Sequence, residues 1–228
     1  MLISAALTAH TYSAYHLIAT PYGYDFGLFH ITPLFFWVVN LLVLISSLRK
    51  PIHNMFVLLL PCTVAALLAA LFLKNENHLI TDLSGGVLIH IVLSILAYST
   101  FTIATAHALI LAYQNKQLHN RQATGFVRLL APLQTMESLL FEMLWMGQIL
   151  LTAALISGAI FVDNMLAQHL VHKSVFSALA WLTYSTLLWG RYKQGWRGNI
   201  AVRWTLIGFV FLILAYLGSK FVLEILLN

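Results

Sequence analysis

Seven near-continuous runs of apolar residues divide this chain, and no other feature limits its fold so tightly. A helix that crosses the hydrocarbon of a bilayer needs about 20 apolar residues. The chain has 228 residues, 61% of them hydrophobic, enough for about seven such helices. The runs cover residues 2–19, 29–48, 55–73, 86–113, 140–162, 174–189 and 204–226. They are continuous rather than alternating, which excludes a transmembrane β-barrel. Charged residues make up 8% of the chain, against ~25% in a soluble domain. Soluble globular, disordered and DNA-binding classes are excluded on that ground. Cys62 is the single cysteine, so no disulfide framework or paired-cysteine redox motif exists. The expected fold is all-α, a polytopic integral membrane helical bundle of about seven transmembrane helices, read as one domain over residues 1–228. Residues 114–128 form a polar connection. Residues 129–140 look amphipathic and are expected to lie in the membrane interface. No basic segment precedes the first run, so no signal peptide is expected.

Basic residues give an orientation. If the loops are numbered alternately, one set holds Arg49, Lys50, Lys116, Arg121, Arg128, Arg191, Lys193, Arg197 and Arg203. The other holds Lys74, Lys173 and Lys220. Positive residues accumulate on the cytoplasmic side. The N-terminus is therefore expected inside and the C-terminus outside. Asp25, Glu76, Asp82, Asp163 and Glu224 then fall on the outer side.

The same topology sorts the histidines, ten in all. His90 lies roughly 6 Å into the fourth run from its outer end, and His107 about 25 Å further along. His172 stands at the outer start of the sixth run, with His169 one turn earlier. His16, His30 and His78 are also near the outer face. His10 sits at mid-depth in the first run, and His53 and His119 fall in inner loops. Imidazole is a common ligand for haem iron, zinc and copper. Two histidines facing each other at one depth would make a bis-histidine haem site, and Trp37, Tyr98, Phe101, Phe176, Trp181 and Tyr184 would suit a flat apolar macrocycle. The plainer reading is that the interfacial and loop histidines are only amphipathic, that His107 bonds a neighbouring helix, and that the aromatics are packing residues. His10 and His90, inside apolar runs, are functional candidates by position.

Phosphate-binding glycine loops, nucleophile elbows, zincin motifs and paired carboxylates do not occur, and no enzymatic activity is expected. Glu137 and Glu142 are read as interfacial. The basic turn GRYKQGWRG, residues 190–198, reads either as a glycine-punctuated loop with a tryptophan anchor or as a contact for a lipid phosphate or haem propionate.

Three stretches taken together are specific. The first is GVLIHIVLSILAYSTF, residues 86–101. The second is HKSVFSALAWLTY, residues 172–184, running on to Gly190-Arg191 and the GWRG of residues 195–198. The third is AYLG, residues 215–218. They resemble the cytochrome c assembly family of CcsA-, ResC- and HemX-like proteins, and within it the YpjD-type inner-membrane branch. Ala9-His10 is similar to a further family histidine. The resemblance implies a multi-pass haem-handling protein of the bacterial inner membrane, in which a tryptophan-rich segment and flanking histidines present haem to apocytochrome. His90 takes the place of the family's first outer histidine. Two departures stand out. Residues 157–173, where the tryptophan-rich segment belongs, contain no tryptophan, and Ser219 and Lys220 stand where a last outer histidine is expected. Members usually carry one more N-terminal helix, which points to a shortened member or a late start.

The function expected is binding or passage of non-covalent haem b in support of cytochrome c or haem-protein maturation. The site would comprise His90 and His172 as axial ligands of the haem iron, His10 as a deeper alternative, and Trp181, Tyr98 and Arg197 around the cofactor, with Arg191 beside Arg197 on an anionic group. The partners expected are haem, the lipid bilayer, and a partner membrane protein or apocytochrome, with no nucleic acid. The alternatives are an accessory or regulatory subunit of a membrane transporter with a degenerate haem site, and a transporter of metal or small ions.

Overall fold

The computed structural model describes residues 2–20, 23–25, 27–48, 52, 54–73, 79–80, 84–120, 125–128, 130–161 and 168–225. The elements run α1 (Leu2–Ile18), β1 (Ala19–Thr20), β2 (Gly23–Asp25), α2 (Leu28–Ser47), α3 (Met55–Phe72), β3 (Leu79–Ile80), α4 (Gly85–His119), α5 (Gly125–Arg128), α6 (Leu133–Phe161), α7 (Gln168–Gln194) and α8 (Asn199–Ile225). Every apolar run corresponds to one long helix. Among the described residues, α2, α3, α4, α6 and α8 contain stretches long and apolar enough to cross a membrane. The first helix is short, with 17 residues, and α7 is interrupted by Lys173, Thr183, Arg191 and Lys193. The protein is an all-α membrane bundle.

The chain forms two compact units, Met1–Gly85 and Gly86–Asn228. In the first, α2 packs against both α1 and α3. Side-chain hydrogen bonds tie these apolar helices, as expected where lipid supplies no hydrophobic drive for helix association. The Trp37 indole donates to Thr11 Oγ1 at 2.8 Å, and Asn40 Nδ2 donates to Thr63 Oγ1 at 2.8 Å. Pro33 lies inside α2 and frees the carbonyl four residues back. The Thr32 hydroxyl takes up that carbonyl, on Phe29, at 3.1 Å. Val57, Val64, Leu68, Leu71 and Phe72 of α3 are exposed, an apolar face suited to lipid. A small antiparallel sheet, order β1-β2-β3, joins the end of α1 to the start of α2 and the segment after α3. Its hairpin pairs Thr20 with Gly23, whose φ of 136° favours glycine. The apolar runs give no sign of this sheet, because its strands are two or three residues long.

The second unit is built from α4, α6, α7 and α8. One layer of its core crosses all four. Phe101 of α4 stacks on Tyr184 of α7 with ring centroids 3.9 Å apart and planes 10° off parallel. Gly147 of α6 lies against the Phe101 ring, and Gly208 of α8 against the Tyr184 ring. A Cβ on either glycine would come within 2.9 Å or 2.6 Å of the ring. Small residues thus let the helix backbones close onto a large aromatic pair. Leu140, Leu144, Leu187 and Leu212 fill the adjoining core.

Several expected boundaries shift: α7 runs from Gln168 to Gln194 rather than over residues 174–189, and α8 begins at Asn199 rather than at residue 204; two further shifts have a visible cause. The fourth helix continues past residue 113 to His119 because polar side chains at its end find partners: Gln114 Nε2 donates to the Ala131 carbonyl at 2.9 Å, and Asn115 Nδ2 to Asn199 Oδ1 at 3.1 Å. The segment expected to be a separate interfacial helix over residues 129–140 is instead largely the start of α6. Pro132 sits just before the helix, where a missing N–H costs nothing, and Met136, Leu139 and Leu140 are buried.

Candidate functional site

Three histidines share one chemical arrangement: one ring nitrogen donates to a backbone carbonyl. His90 Nδ1 lies 2.9 Å from the Ala154 carbonyl oxygen of α6 and 3.4 Å from Ser157 Oγ. The Ser157 hydroxyl donates to the same carbonyl at 3.0 Å. A carbonyl only accepts, so Nδ1 carries the proton and Nε2 holds the lone pair. His10, buried in α1, bonds the backbone of Pro33. Proline has no N–H, so its carbonyl is the acceptor, and His10 Nε2 is a buried nitrogen without a partner. The third, His107, is fully buried and reverses the roles. Its Nε2 donates to the Met136 carbonyl at 2.9 Å, and Nδ1 has no partner. This is the helix-to-helix bond that the sequence offered as the plainer role of His107.

The remaining candidates are held differently. His172 is exposed near the start of α7, and His90 packs on α6. Among the described residues, no group of three or more His, Cys, Asp or Glu is placed to hold a metal ion. Trp181 is half-buried, and its indole N–H donates to Thr152 Oγ1 of α6 at 2.9 Å. One turn along α6, Gln148 Nε2 donates to Ser185 Oγ at 2.7 Å. Tyr98 bonds Ser177 of α7, with its ring 6.2 Å from that of Tyr216 of α8. Helix α6 thus forms a shared wall, touching His90 on one side and the Trp181 segment of α7 on the other. His53 and His78 lie outside the described residues, and His169 is described by its backbone alone. His16 and His119 are exposed, and His16 lies against Tyr12, centroids 4.3 Å apart.

The GWRG turn is a built joint. Gly195 adopts φ 66° and Gly198 φ 57°. The Trp196 N–H reaches back to the Gly190 carbonyl at 3.3 Å, closing α7 in the manner of a left-handed glycine cap. The Trp196 ring stacks on Trp204 at 5.5 Å and covers Gly190, where a Cβ would fall 2.3 Å from it. Arg191 is used inside this joint. Its Nη1 donates to the Trp196 carbonyl at 3.2 Å, and its guanidinium sits 4.6 Å from the centre of the Phe141 ring. Arg197 is exposed. Glu137, read in the sequence as interfacial, accepts the Gly198 N–H at 2.8 Å. A carboxylate there also complements the positive end of α8.

Sequence reasoning missed Glu137 and also a pair in the first unit. His30 Nδ1 lies 2.9 Å from Asp25 Oδ2, whereas the sequence pattern places both at the outer face only as separate groups. No periodic pattern marks either contact, since each joins a helix to a residue outside any helix.

Comparison with known proteins agrees with these features. A family model described as Cytochrome C assembly protein matches residues 3–227. Over 172 residues the chain is 37% identical to Inner membrane protein YpjD of Escherichia coli (strain K12), a match covering 74% of this chain and 65% of that protein. It is 27% identical over 177 residues to Cytochrome c biogenesis protein CcsA of Prochlorococcus marinus (strain NATL1A), covering 77% of this chain and 53% of the relative. Protein HemX of Brevibacillus brevis is 25% identical over 133 residues, 58% of this chain and 49% of that one. The chain therefore spans just under two thirds of the length of YpjD. No solved structure matches it. With its His90 helix packed on α6, its GWRG joint between α7 and α8, and the family pattern running through both units, the chain belongs to the cytochrome c assembly protein family.

Proposed function

We propose that this is a multi-pass protein of the bacterial inner membrane that handles haem in support of cytochrome c or haem-protein maturation, with its N-terminus cytoplasmic and its C-terminus periplasmic. The observation that carries the reading is the His90 Nδ1 bond to the Ala154 carbonyl. Imidazoles that ligate iron commonly hold their other N–H on a carbonyl or carboxylate, which fixes the tautomer and aims the lone pair. His90 has that arrangement, and so has His10, whose Nε2 is buried without a partner. The residues therefore suit an iron centre. His90 and His172 would hold the iron, and His10 of the first unit is a separate candidate. Trp181 and Tyr98 would line the macrocycle, and Arg197 would meet an anionic group. Haem bound there would bring its iron within reach of a partner protein. This chain's part is to orient the imidazoles, exclude water with apolar helices and hold the cofactor non-covalently. The proposed role is binding and delivery rather than catalysis, and the proposed partners are haem, lipid, and an apocytochrome or membrane protein.

A second reading is an accessory subunit of a membrane transporter. It is favoured by the absence of tryptophan between residues 157 and 173, where the family resemblance leads one to expect a tryptophan-rich segment. Absorbance spectra of the purified protein, oxidised and dithionite-reduced, with a pyridine haemochrome assay, separate the two. The haem reading expects a Soret band near one haem per chain. A colourless protein that stays colourless on haem titration, and that co-purifies with a transporter, would transfer the assignment to the second reading.

A further inference from the structure

The turn between α7 and α8 gathers positive charge that the fold does not neutralise. Lys116 near the end of α4, Lys193 near the end of α7, Arg197 in the turn and Arg203 in α8 are all exposed. The Asn115–Asn199 hydrogen bond, at 3.1 Å, brings the Lys116 end of α4 to the start of α8. Among the described residues, none of these cations meets a carboxylate. Glu137 lies against the turn, but its Oε1 accepts the Gly198 N–H at 2.8 Å. Arg197 is held on a stiff support. The Glu137 bond closes the turn on one side of it, and the Trp196 N–H on Gly190 and Arg191 on the Trp196 carbonyl close it on the other.

Arg203 adds an independent observation. It stands on the exposed stripe of α8, between Ile200 and Ile207, with Val210 a turn further on. Residues three and four apart share a helix face, so this face is apolar apart from one guanidinium. Asn199–Tyr216 is apolar enough to cross a membrane. Arg203 therefore lies within the span, about 6 Å from its first residue. A charge on a lipid-facing stripe is costly unless it reaches the headgroups, and a long side chain this close to the helix end can do so. Trp189 and Tyr192 of α7 are also exposed, and such aromatic side chains settle at headgroup level. The surface at this end is layered, with apolar side chains first, then aromatic rings, then unpaired cations.

We infer that this end of α7 and α8 is a binding site for an anionic phospholipid, with Arg203 on the headgroup phosphate and Arg197, Lys193 and Lys116 adding charge around it. A guanidinium fork matches two phosphate oxygens, which an ammonium does not. The acyl chains of the same lipid would cover Ile200, Ile207 and Val210. A free phosphate or a nucleotide accounts for the cations but not for an arginine set within an apolar face, and that placement selects a lipid. The site does not depend on haem.

The test is native mass spectrometry of the full chain in detergent, titrated with phosphatidylglycerol or with phosphatidylcholine of the same acyl chains. Phosphatidylglycerol should bind roughly tenfold or more tightly than phosphatidylcholine, given several basic residues at one surface. Arg203→Gln should weaken phosphatidylglycerol binding about fivefold, the value of one basic residue there, and adding Arg197→Gln should weaken it again by a similar factor. Arg203→Lys should fall between Arg203→Gln and wild type. Lys173→Gln, which removes an exposed cation near the other end of α7, should leave binding unchanged. Phosphatidylcholine binding and thermal midpoints should be equal in all variants. The proposal is overturned if wild-type protein does not distinguish the two lipids, a comparison that needs no variant. It is overturned if Lys173→Gln weakens binding as much as Arg203→Gln does, since net charge and not a site would then be at work. It is overturned in favour of a soluble anion if millimolar inorganic phosphate binds lipid-free protein with the same dependence on Arg203. A polyglutamate peptide that binds more tightly than phosphatidylglycerol, again through Arg203, would overturn it in favour of an acidic protein partner.

Discussion

Phe101 and Tyr184 lie face to face, 3.9 Å between centroids, with Gly147 against the Phe101 ring and Gly208 against the Tyr184 ring. This layer sets the spacing of all four helices in the second unit. The Tyr184 hydroxyl reaches the Thr205 carbonyl at 3.4 Å, giving the buried phenol a partner. Side chains larger than hydrogen at Gly147 or Gly208 must displace ring atoms of a close-packed core. Gly208→Val is expected to cost about 1–3 kcal/mol, as overpacked cores do. Thermal unfolding in detergent should show a clearly lower midpoint, and Gly85→Ala, with open space around it, serves as the control. An unchanged midpoint for Gly208→Val would contradict the layer.

His90→Ala is expected to lower haem affinity at least tenfold, read from the Soret band during haemin titration. Ser157→Ala should act more weakly. It removes the longer, 3.4 Å contact and the hydroxyl's own bond to the Ala154 carbonyl, but leaves that carbonyl in place for the ring. Equal losses in the two variants would mean that the hydroxyl, and not the carbonyl, orients the ring.

Thr152→Val removes the acceptor of the Trp181 indole N–H while conserving side-chain shape. Leaving a fully buried donor without a partner costs about 1–3 kcal/mol, and the half-buried indole should cost at the low end of that range. Loss of stability on unfolding, together with a shift in the emission of Trp181 in a protein whose other tryptophans are replaced, is the expected outcome. Stability equal to wild type would show that the bond contributes little.

The joint between α7 and α8 depends on Glu137 and on the left-handed glycines. Glu137→Ala deprives the Gly198 N–H of its acceptor and is expected to destabilise by about 1–2 kcal/mol, as removal of a helix-cap side chain does. Glu137→Gln retains an acceptor oxygen and should recover most of that loss. Gly198→Ala, at φ 57°, should cost about 1 kcal/mol from backbone strain alone. Proteolysis near residue 195 offers a second readout, since a loosened turn is cut faster.

Much of the architecture was legible in the chain itself. Lipid demands continuous apolar helices, so the runs announced seven helices, each matched in the structure to within a few residues over most of its length. The exceptions were polar ends. Gln114 and Asn115 extend α4 because partners wait at Ala131 and Asn199, and a one-dimensional pattern holds no record of those partners. His90 was legible as a candidate by its position inside an apolar run. Its partner was not, because the Ala154 carbonyl belongs to a helix 64 positions further along the chain.

The sequence by itself determined that the chain is a helical membrane bundle and which family it belongs to, because hydrophobic length and motif order are properties of the chain alone. Tertiary structure decided which ring nitrogen of His10, His90 and His107 meets a carbonyl and which turn Arg191 and Glu137 lock. It also decided that Asp25 meets His30. A hydrogen bond is set by distance and direction in space, and residues far apart in sequence acquire those only when the helices pack.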